Sequence, residues 1–245
     1  MTTRHTSRVS HLTSHLTLLA GAVAVLLSRC ATQALIFSNA SFETVPSLDG
    51  SQLDQGYLPS QWTSAADIVP GADSFGEDGL YGLLPSGASH FTGRTARDGQ
   101  RWVAGADFIF AKEAIAQPGT LVPNQAYTWS ASLLRSQIYT SPGGWNLALA
   151  STADVLDPNL TVVASLAGTS DSDNWVDRSV TFNAPANVLS FSYLVLVPRS
   201  DDSGVPTYVA IDHMALTAVP EPGETTLACG VLLGGMMVVR RLRRV

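Results

Sequence analysis

Apolar and polar positions alternate through much of the second half of the chain, which is the pattern of half-buried β-strands. In 124–133, every second residue from Tyr127 to Leu133 is apolar and falls on one face of the predicted strand. Residues 207–216 alternate in the same way. This second predicted strand places five residues on one face: Tyr208, Ala210, Asp212, Met214 and Leu216.

Turn-forming sequences separate these segments. Short runs of Pro, Gly, Asn, Asp and Ser occur at 123–124, 142–144, 157–159 and 201–204. Between them, 175–182 and 188–197 are rich in β-branched and aromatic residues. Many short strands joined by frequent turns predict an all-β protein, a β-sandwich of the jelly-roll type. Only 110–117 has a composition that favours a helix.

The two ends of the chain do not share this pattern. Arg4 and Arg8 precede an uncharged apolar run at 16–27, which has the length of a secretory signal and is too short for a comfortable membrane span. Small residues at Thr32 and Ala34 then predict cleavage after Ala34. We therefore expect residues 1–34 to be a signal peptide and the protein to be exported.

Two alternatives to this interpretation remain open. The apolar run could be a helix buried in a core, although basic residues precede it and strand-like sequence follows it. Cys30 after the run also suggests a lipoprotein, but Arg29 stands where lipoprotein processing needs a small residue.

The C-terminal end combines three features in order: Pro220-Glu221-Pro222, an uncharged run at 225–239, and the cluster Arg240, Arg241, Arg243 and Arg244. As a helix the run is roughly 22 Å long, against about 30 Å of hydrocarbon core. It crosses a bilayer if the flanking arginines snorkel and the bilayer thins. Arginines favour the cytoplasmic side, so residues 35–218 are predicted to be an ectodomain.

This order of features resembles the PEP-CTERM sorting signal of Gram-negative bacteria and covers 219–245. The resemblance implies processing by an exosortase near the Pro-Glu-Pro. The protein would pass transiently through the inner membrane and then reach the cell surface or the extracellular matrix. It also implies an association with exopolysaccharide and biofilm. A simple tail anchor with a proline-rich stalk is the alternative.

The composition of the chain limits the classes of function that are open to residues 35–219, which lie between the two ends. The chain is 45% hydrophobic and 14% charged, which excludes a disordered protein. Its net charge of −6 conceals two basic ends, because residues 35–219 carry seven cations and 18 acidic residues, a net −11. Nucleic acid is therefore excluded as a partner. Cysteine occurs only at Cys30 and Cys229, so this part must be stabilised by a packed core or a metal.

Four segments resemble the jelly-roll domains of the galactose-binding-like and carbohydrate-binding-module group: 36–43, 56–62, 121–128 and 209–216. In several such modules, an acidic residue of the opening strand and one of the closing strand share a structural calcium ion with backbone carbonyls. The resemblance places Glu43 and Asp212 in those roles. Calcium prefers six to eight oxygen ligands. The alternative is that both are ordinary hydrogen-bonded or exposed carboxylates.

Aromatic side chains are the second candidate for chemistry, because exposed rings stack on the C–H faces of sugars. Trp62, Tyr81 and Trp145 lie near loop-like sequence and are predicted to be exposed and to bind glycans. Trp129 and Trp175 lie in strand patterns and are predicted to be core. For each aromatic residue, burial in the core is the competing interpretation.

The sequence gives little support for a catalytic function. No nucleophile-elbow, zinc-protease or phosphate-loop motif occurs, and the acidic pairs lie in loop-like sequence. The sequence therefore predicts an exported, non-enzymatic surface or matrix protein. A carbohydrate-binding module is the first alternative, and a secreted glycan hydrolase with two carboxylates is the second. The ligand, the oligomeric state, and whether the mature protein is released or attached are left open.

Overall fold

The computed structural model describes residues 37–44, 58–66, 73–75, 90–108 and 111–220. The chain divides into two compact units, Leu35–Ala218 and a second unit of Met1–Ala34 with Val219–Val245. The predicted signal peptide and all of the predicted sorting signal beyond Pro220 lie outside the described residues. Both stay predictions. Within the described ranges, no helix is long and apolar enough to cross a membrane.

The described part of the chain forms strands, with one turn of 3₁₀ helix at Val188–Ser190. In chain order the strands are β1 Thr63–Ser64, β2 Asp73–Phe75, β3 Trp102–Phe108, β4 Ala111–Lys112, β5 Ile115–Pro118, β6 Ala126–Arg135, β7 Gly143–Ala150, β8 Thr161–Thr169, β9 Val176–Asn183, β10 Tyr193–Ser200 and β11 Thr207–Ala218. The helix expected at 110–117 is wrong, because that segment contains β4 and most of β5. Ile115 and Ala116 are both fully buried, so two-sided burial hides the alternation of a strand.

The strands form two antiparallel sheets. Sheet A has the order β1-β5-β10-β7-β8, and sheet B has the order β2-β3-β11-β6-β9 with β4 beside β3. The long strands pair as nested partners: β3 with β11, β5 with β10, β6 with β9, and β7 with β8. Nested antiparallel pairs divided between two sheets define a jelly roll. The predicted all-β sandwich is therefore confirmed.

The main core lies between the two sheets. Trp129 and Leu133 of β6 face Trp145 and Leu147 of β7 in one cluster of fully buried side chains. Burial of each such large side chain stabilises the fold by about 2–3 kcal/mol. The inward alternation predicted from Tyr127 to Leu133 is confirmed by this cluster.

Each sheet also buries part of its outer face. On sheet A this outer layer consists of small side chains: Ala65, Ala114, Ala116, Ala148, Ala150, Val195 and Val197. On sheet B it is built around large rings: Phe91, Trp102 and Tyr208, with Leu134, Ala104, Ala106 and Ala210. A loop at 151–160 packs on the first layer through Ala153, Val155 and Leu160. The second is contacted by a loop at 90–101, called the strap below.

The closing strand β11 contains a bulge. Asp212 lies opposite Ser132 and Ala215 opposite Ser130, so β11 advances three residues while β6 advances two. His213 takes up the extra residue with a left-handed φ of 49°. Val209 and Ile211 face the core before the bulge, and Met214 and Leu216 face it afterwards. The predicted single face from Tyr208 to Leu216 is therefore wrong.

Candidate functional site

The outer face of sheet B carries an aromatic layer that is buried at its centre. Phe91 of the strap is fully enclosed and meets Trp102 edge-on, with ring centroids 6.4 Å apart. It also lies 5.7 Å from the ring of Tyr208. The strap thus begins by inserting an aromatic ring into the layer beneath it.

The rim of this layer is only partly buried. The ring of Trp175 meets Trp102 edge-on at 6.0 Å, and its Nε1 donates a hydrogen bond to the carbonyl of Thr95, 2.8 Å away. On the other side, Tyr139 and His90 are parallel, with ring centroids 5.5 Å apart. Burial lowers the pKa of His90, so its neutral form is favoured. These rim rings are half-buried and held in fixed orientations.

Asp212 anchors the middle of the strap from below. Its side chain is fully enclosed, and its Oδ2 accepts hydrogen bonds from the amides of Arg97 at 2.8 Å and Asp98 at 3.0 Å. Its Oδ1 accepts a bond from the His213 amide at 2.6 Å. Burial raises the pKa of Asp212 to about 6, although the three amides act in the opposite direction. The bulge turns this carboxylate toward the strap.

Glu43 anchors the end of the strap. Its Oε1 accepts hydrogen bonds from the amides of Gln100 and Arg101, both at 2.9 Å. The carboxyl group lies directly against Gly99, where an added Cβ would be 2.3 Å from the Glu43 carboxyl carbon. Gly99 also has a φ of +69°, so this position favours glycine for two reasons.

Polar side chains extend this arrangement toward solvent. Asp98 Oδ2 accepts a bond from the Ser41 hydroxyl at 2.9 Å and lies 3.5 Å from Nδ1 of His213. These two contacts, Ser41 first, lower the pKa of Asp98. Hydroxyl and imidazole converge on one carboxylate oxygen, and no described hydrogen bond joins them to each other. The trio therefore lacks the hydroxyl–imidazole bond that activates a serine nucleophile.

A calcium site between Glu43 and Asp212 was predicted, and the structure does bring both carboxylates to the same short segment, 97–101. Each, however, accepts hydrogen bonds from backbone amides there. Within the described ranges, no three His, Cys, Asp or Glu side chains are grouped to hold a metal. These amide bonds leave few lone-pair sites on Asp212 for a calcium ion, which needs six to eight oxygen ligands.

The predicted glycan-binding tryptophans are buried. Trp62 is 7% exposed, and its ring centroid lies 5.6 Å from those of Phe37 and Phe42. Its Nε1 donates a hydrogen bond to the carbonyl of Asn39. Trp145 is fully enclosed in β7. The predicted exposure of both is therefore wrong, while Tyr81 lies outside the described residues.

Two further aromatic residues complete the correction. Trp129 is core, as predicted, but Trp175 was also assigned to the core and is partly exposed. Tyr139 was missed, because it lies in the irregular segment after β6 and carries no periodic signal.

No family model matches the chain, and no curated protein matches it. Several solved structures are similar to it, carbohydrate-binding modules among them. The CBM22-1 xylan-binding domain from Paenibacillus barcinonensis Xyn10C is 14% identical, with a TM-score of 0.45 over 78% of this chain and 97% of that chain. The tandem CBM22-1–CBM22-2 domain from the same protein is 15% identical, with a TM-score of 0.46 over 78% of this chain and 48% of that chain.

A third similar structure is a Clostridium thermocellum endo-1,4-beta-D-xylanase 10B, containing CBM22-1 and GH10 modules, complexed with xylohexaose. It is 11% identical, with a TM-score of 0.41 over 70% of this chain, which spans only 28% of the length of that chain. Similarity at this level carries no information about what the present chain binds.

Proposed function

We propose that this is an exported, non-enzymatic surface protein whose jelly roll binds a polysaccharide at the rim of the aromatic layer on sheet B. The observation that carries the proposal is the pair of half-buried rings, Trp175 and Tyr139, each fixed by ring contacts. A ring that is buried on one side loses little conformational freedom when a sugar packs on its other side. Such rings are suited to the apolar C–H faces of a glycan.

Polar groups beside these rings are suited to sugar hydroxyls. Arg94 forms an ion pair with the exposed Asp173, and its Nε donates to the carbonyl of Ser172. Exposed Gln137 lies next to the Tyr139 side of the rim. Residues 35–219 carry a net −11, so acidic polymers would be repelled. We therefore expect a neutral glycan.

The binding proposal is tested with an array of neutral and acidic polysaccharides. Trp175→Ala and Tyr139→Ala should each weaken binding to a neutral glycan by about tenfold, which corresponds to about 1.4 kcal/mol. Leu189→Ala is the control, because that residue is 72% exposed and lies in the 3₁₀ turn. No binding to any neutral glycan would contradict the proposal and leave an exported structural protein.

Export and sorting are proposed on the sequence pattern alone. Residues 1–34 direct export, an exosortase processes the segment 219–245 at the inner membrane, and the protein then reaches the surface or the exopolysaccharide matrix. Replacement of Pro220, Glu221 and Pro222 with alanine should leave full-length protein in the membrane fraction. If a form without the tail still accumulated, the exosortase assignment would be wrong.

A further inference from the structure

We propose that Glu43 and Asp212 form a metal-free carboxylate clamp, in which backbone amides of 97–101 take the place of a cation. The clamp is defined by these two side chains and the four amides of Arg97, Asp98, Gln100 and Arg101. It does not depend on glycan binding. Its function is to hold the strap over the aromatic layer.

The first argument is the use of the oxygen lone pairs. Asp212 accepts three amide bonds between 2.6 and 3.0 Å, and its side chain is fully enclosed. Glu43 directs one oxygen at two amides. An ionised carboxylate has about four lone-pair sites. Three of those on Asp212 and two of those on Glu43 therefore face N–H groups, which leaves few sites for a cation.

The second argument is the conformation of the strap. Its amides at 97–98 and 100–101 lie on either side of Gly99, which has a left-handed φ of +69°. Successive amides around such a residue form a concave site with positive potential, which binds anions. The carboxylates of Glu43 and Asp212 are the anions that fill it. The amides of this segment therefore favour a carboxylate over a cation at the positions to which they point.

The third argument concerns backbone carbonyls of the short segment that precedes Glu43. The carbonyl of Asn39 accepts bonds from the Phe42 amide at 3.1 Å and from Trp62 Nε1 at 3.2 Å. The carbonyl of Ala40 accepts a bond from the Met214 amide at 3.3 Å. These carbonyls therefore already serve the packing of the fold, and the described contacts give no indication that they are directed at a cation.

The first experiment measures thermal unfolding of the purified protein after chelator treatment, with and without millimolar calcium. The clamp predicts the same midpoint in all conditions. A bound calcium ion would instead raise the midpoint with calcium concentration. A midpoint that falls with chelator and recovers with calcium, but not with magnesium, would overturn the proposal.

The second experiment uses matched variants to distinguish a hydrogen-bond acceptor in the clamp from a calcium ligand. Glu43→Gln retains an oxygen that can accept both amide bonds but loses the charge that strengthens them, so we expect its midpoint to fall by about half as much as that of Glu43→Ala. Glu43→Ala removes both bonds and should lower the midpoint by about 5 °C. A calcium ligand would respond differently, because the neutral amide of Glu43→Gln loses the charge that the ion requires. If Glu43→Gln lowers the midpoint as much as Glu43→Ala, the clamp is wrong. Should the alanine variant not fold, a midpoint of Glu43→Gln about 5 °C or more below that of the wild type contradicts the clamp.

Discussion

The outer faces of the two sheets are covered in similar ways, and the difference between them shows how burial controls a charge. The 151–160 loop on sheet A is organised by Asp157, which accepts bonds from the amides of Ser151, Thr152 and Asn159 between 2.7 and 2.9 Å. The strap on sheet B is organised by Asp212, which also accepts three amide bonds. Asp157 belongs to the loop itself, whereas Asp212 belongs to the strand beneath it.

This placement gives the two carboxyl groups opposite pKa shifts. Amide bonds, that of Asn159 first, lower the pKa of Asp157, although this residue is only 8% exposed. Burial raises the pKa of Asp212 to about 6 from its usual 3.8. A similar number of hydrogen bonds therefore does not ensure a similar pKa. Desolvation decides the sign when the carboxylate is enclosed between a sheet and a loop.

The largest test of the comparison removes one side chain from each outer layer. Trp102→Ala deletes a fully buried ring under the strap and should lower the free energy of unfolding by about 3–5 kcal/mol. Val195→Ala is the counterpart on sheet A, where the layer is built of small side chains, and should lower it by about 1–2 kcal/mol. Urea unfolding measures both. Equal losses would show that the aromatic layer contributes no more than the alanine-rich one.

The second test uses two glycines of the strap that have almost the same φ. Gly93 has a φ of +71° and nothing within 4 Å of an added Cβ, whereas at Gly99 the carboxyl group of Glu43 is in the way. Gly93→Ala should lower the free energy of unfolding by about 1 kcal/mol through backbone strain alone. Gly99→Ala should lower it by about 2–3 kcal/mol, since it also displaces Glu43. Equal losses in urea unfolding would remove Glu43 from the support of the strap.

The smallest effect is a dependence on pH. A carboxyl group with a raised pKa in the folded state stabilises the protein below its unfolded pKa, and this stability is lost as the pH rises through the folded pKa. For Asp212 this window lies between 3.8 and about 6. Asp212→Ala should therefore lose about 1 kcal/mol more stability at pH 5 than at pH 7.

Asp157→Ala is the matched control for this pH dependence. Its pKa lies below 3.8 in the folded state, so its stabilisation is lost only as the pH falls through that lower value. The loss of stability in this variant should be the same at pH 5 and pH 7. Urea unfolding of both variants at the two pH values decides the point, and equal pH dependence would contradict the burial of Asp212.

Alternation predicted most strands but failed where burial is two-sided. The sequence Pro142-Gly143-Gly144 predicts a turn and therefore places Trp145 near a loop. Both glycines lie in β7 and are required there, because a Cβ at Gly143 would be 2.6 Å from Thr207 Oγ1 and one at Gly144 would be 2.5 Å from the Leu166 carbonyl. Close approach from another strand is a property of the tertiary fold, which a local pattern does not contain.

The two carboxylates that anchor the strap were predictable from the sequence, but their chemistry was not. The resemblance to carbohydrate-binding jelly rolls paired Glu43 with Asp212, and both do contact 97–101. The donors that meet them are backbone amides, whose direction is set by the conformation of Gly99 and not by any side-chain pattern. The rim at Tyr139 was missed for a similar reason, since its position depends on an irregular segment packing against β3.

The bulge in β11 makes an exposed position intolerant of changes in chain length. Core-facing residues are odd-numbered before His213 and even-numbered after it. The side chain of His213 is 62% exposed. Deletion of this residue would restore one regular alternation of inward and outward side chains along β11, and only one of two arrangements could then be kept. Either Asp212 turns away from the strap, or Met214 and Leu216 turn out of the core. During evolution, a substitution at this surface residue is a small change. A one-residue deletion there instead changes which residues of the closing strand face the core.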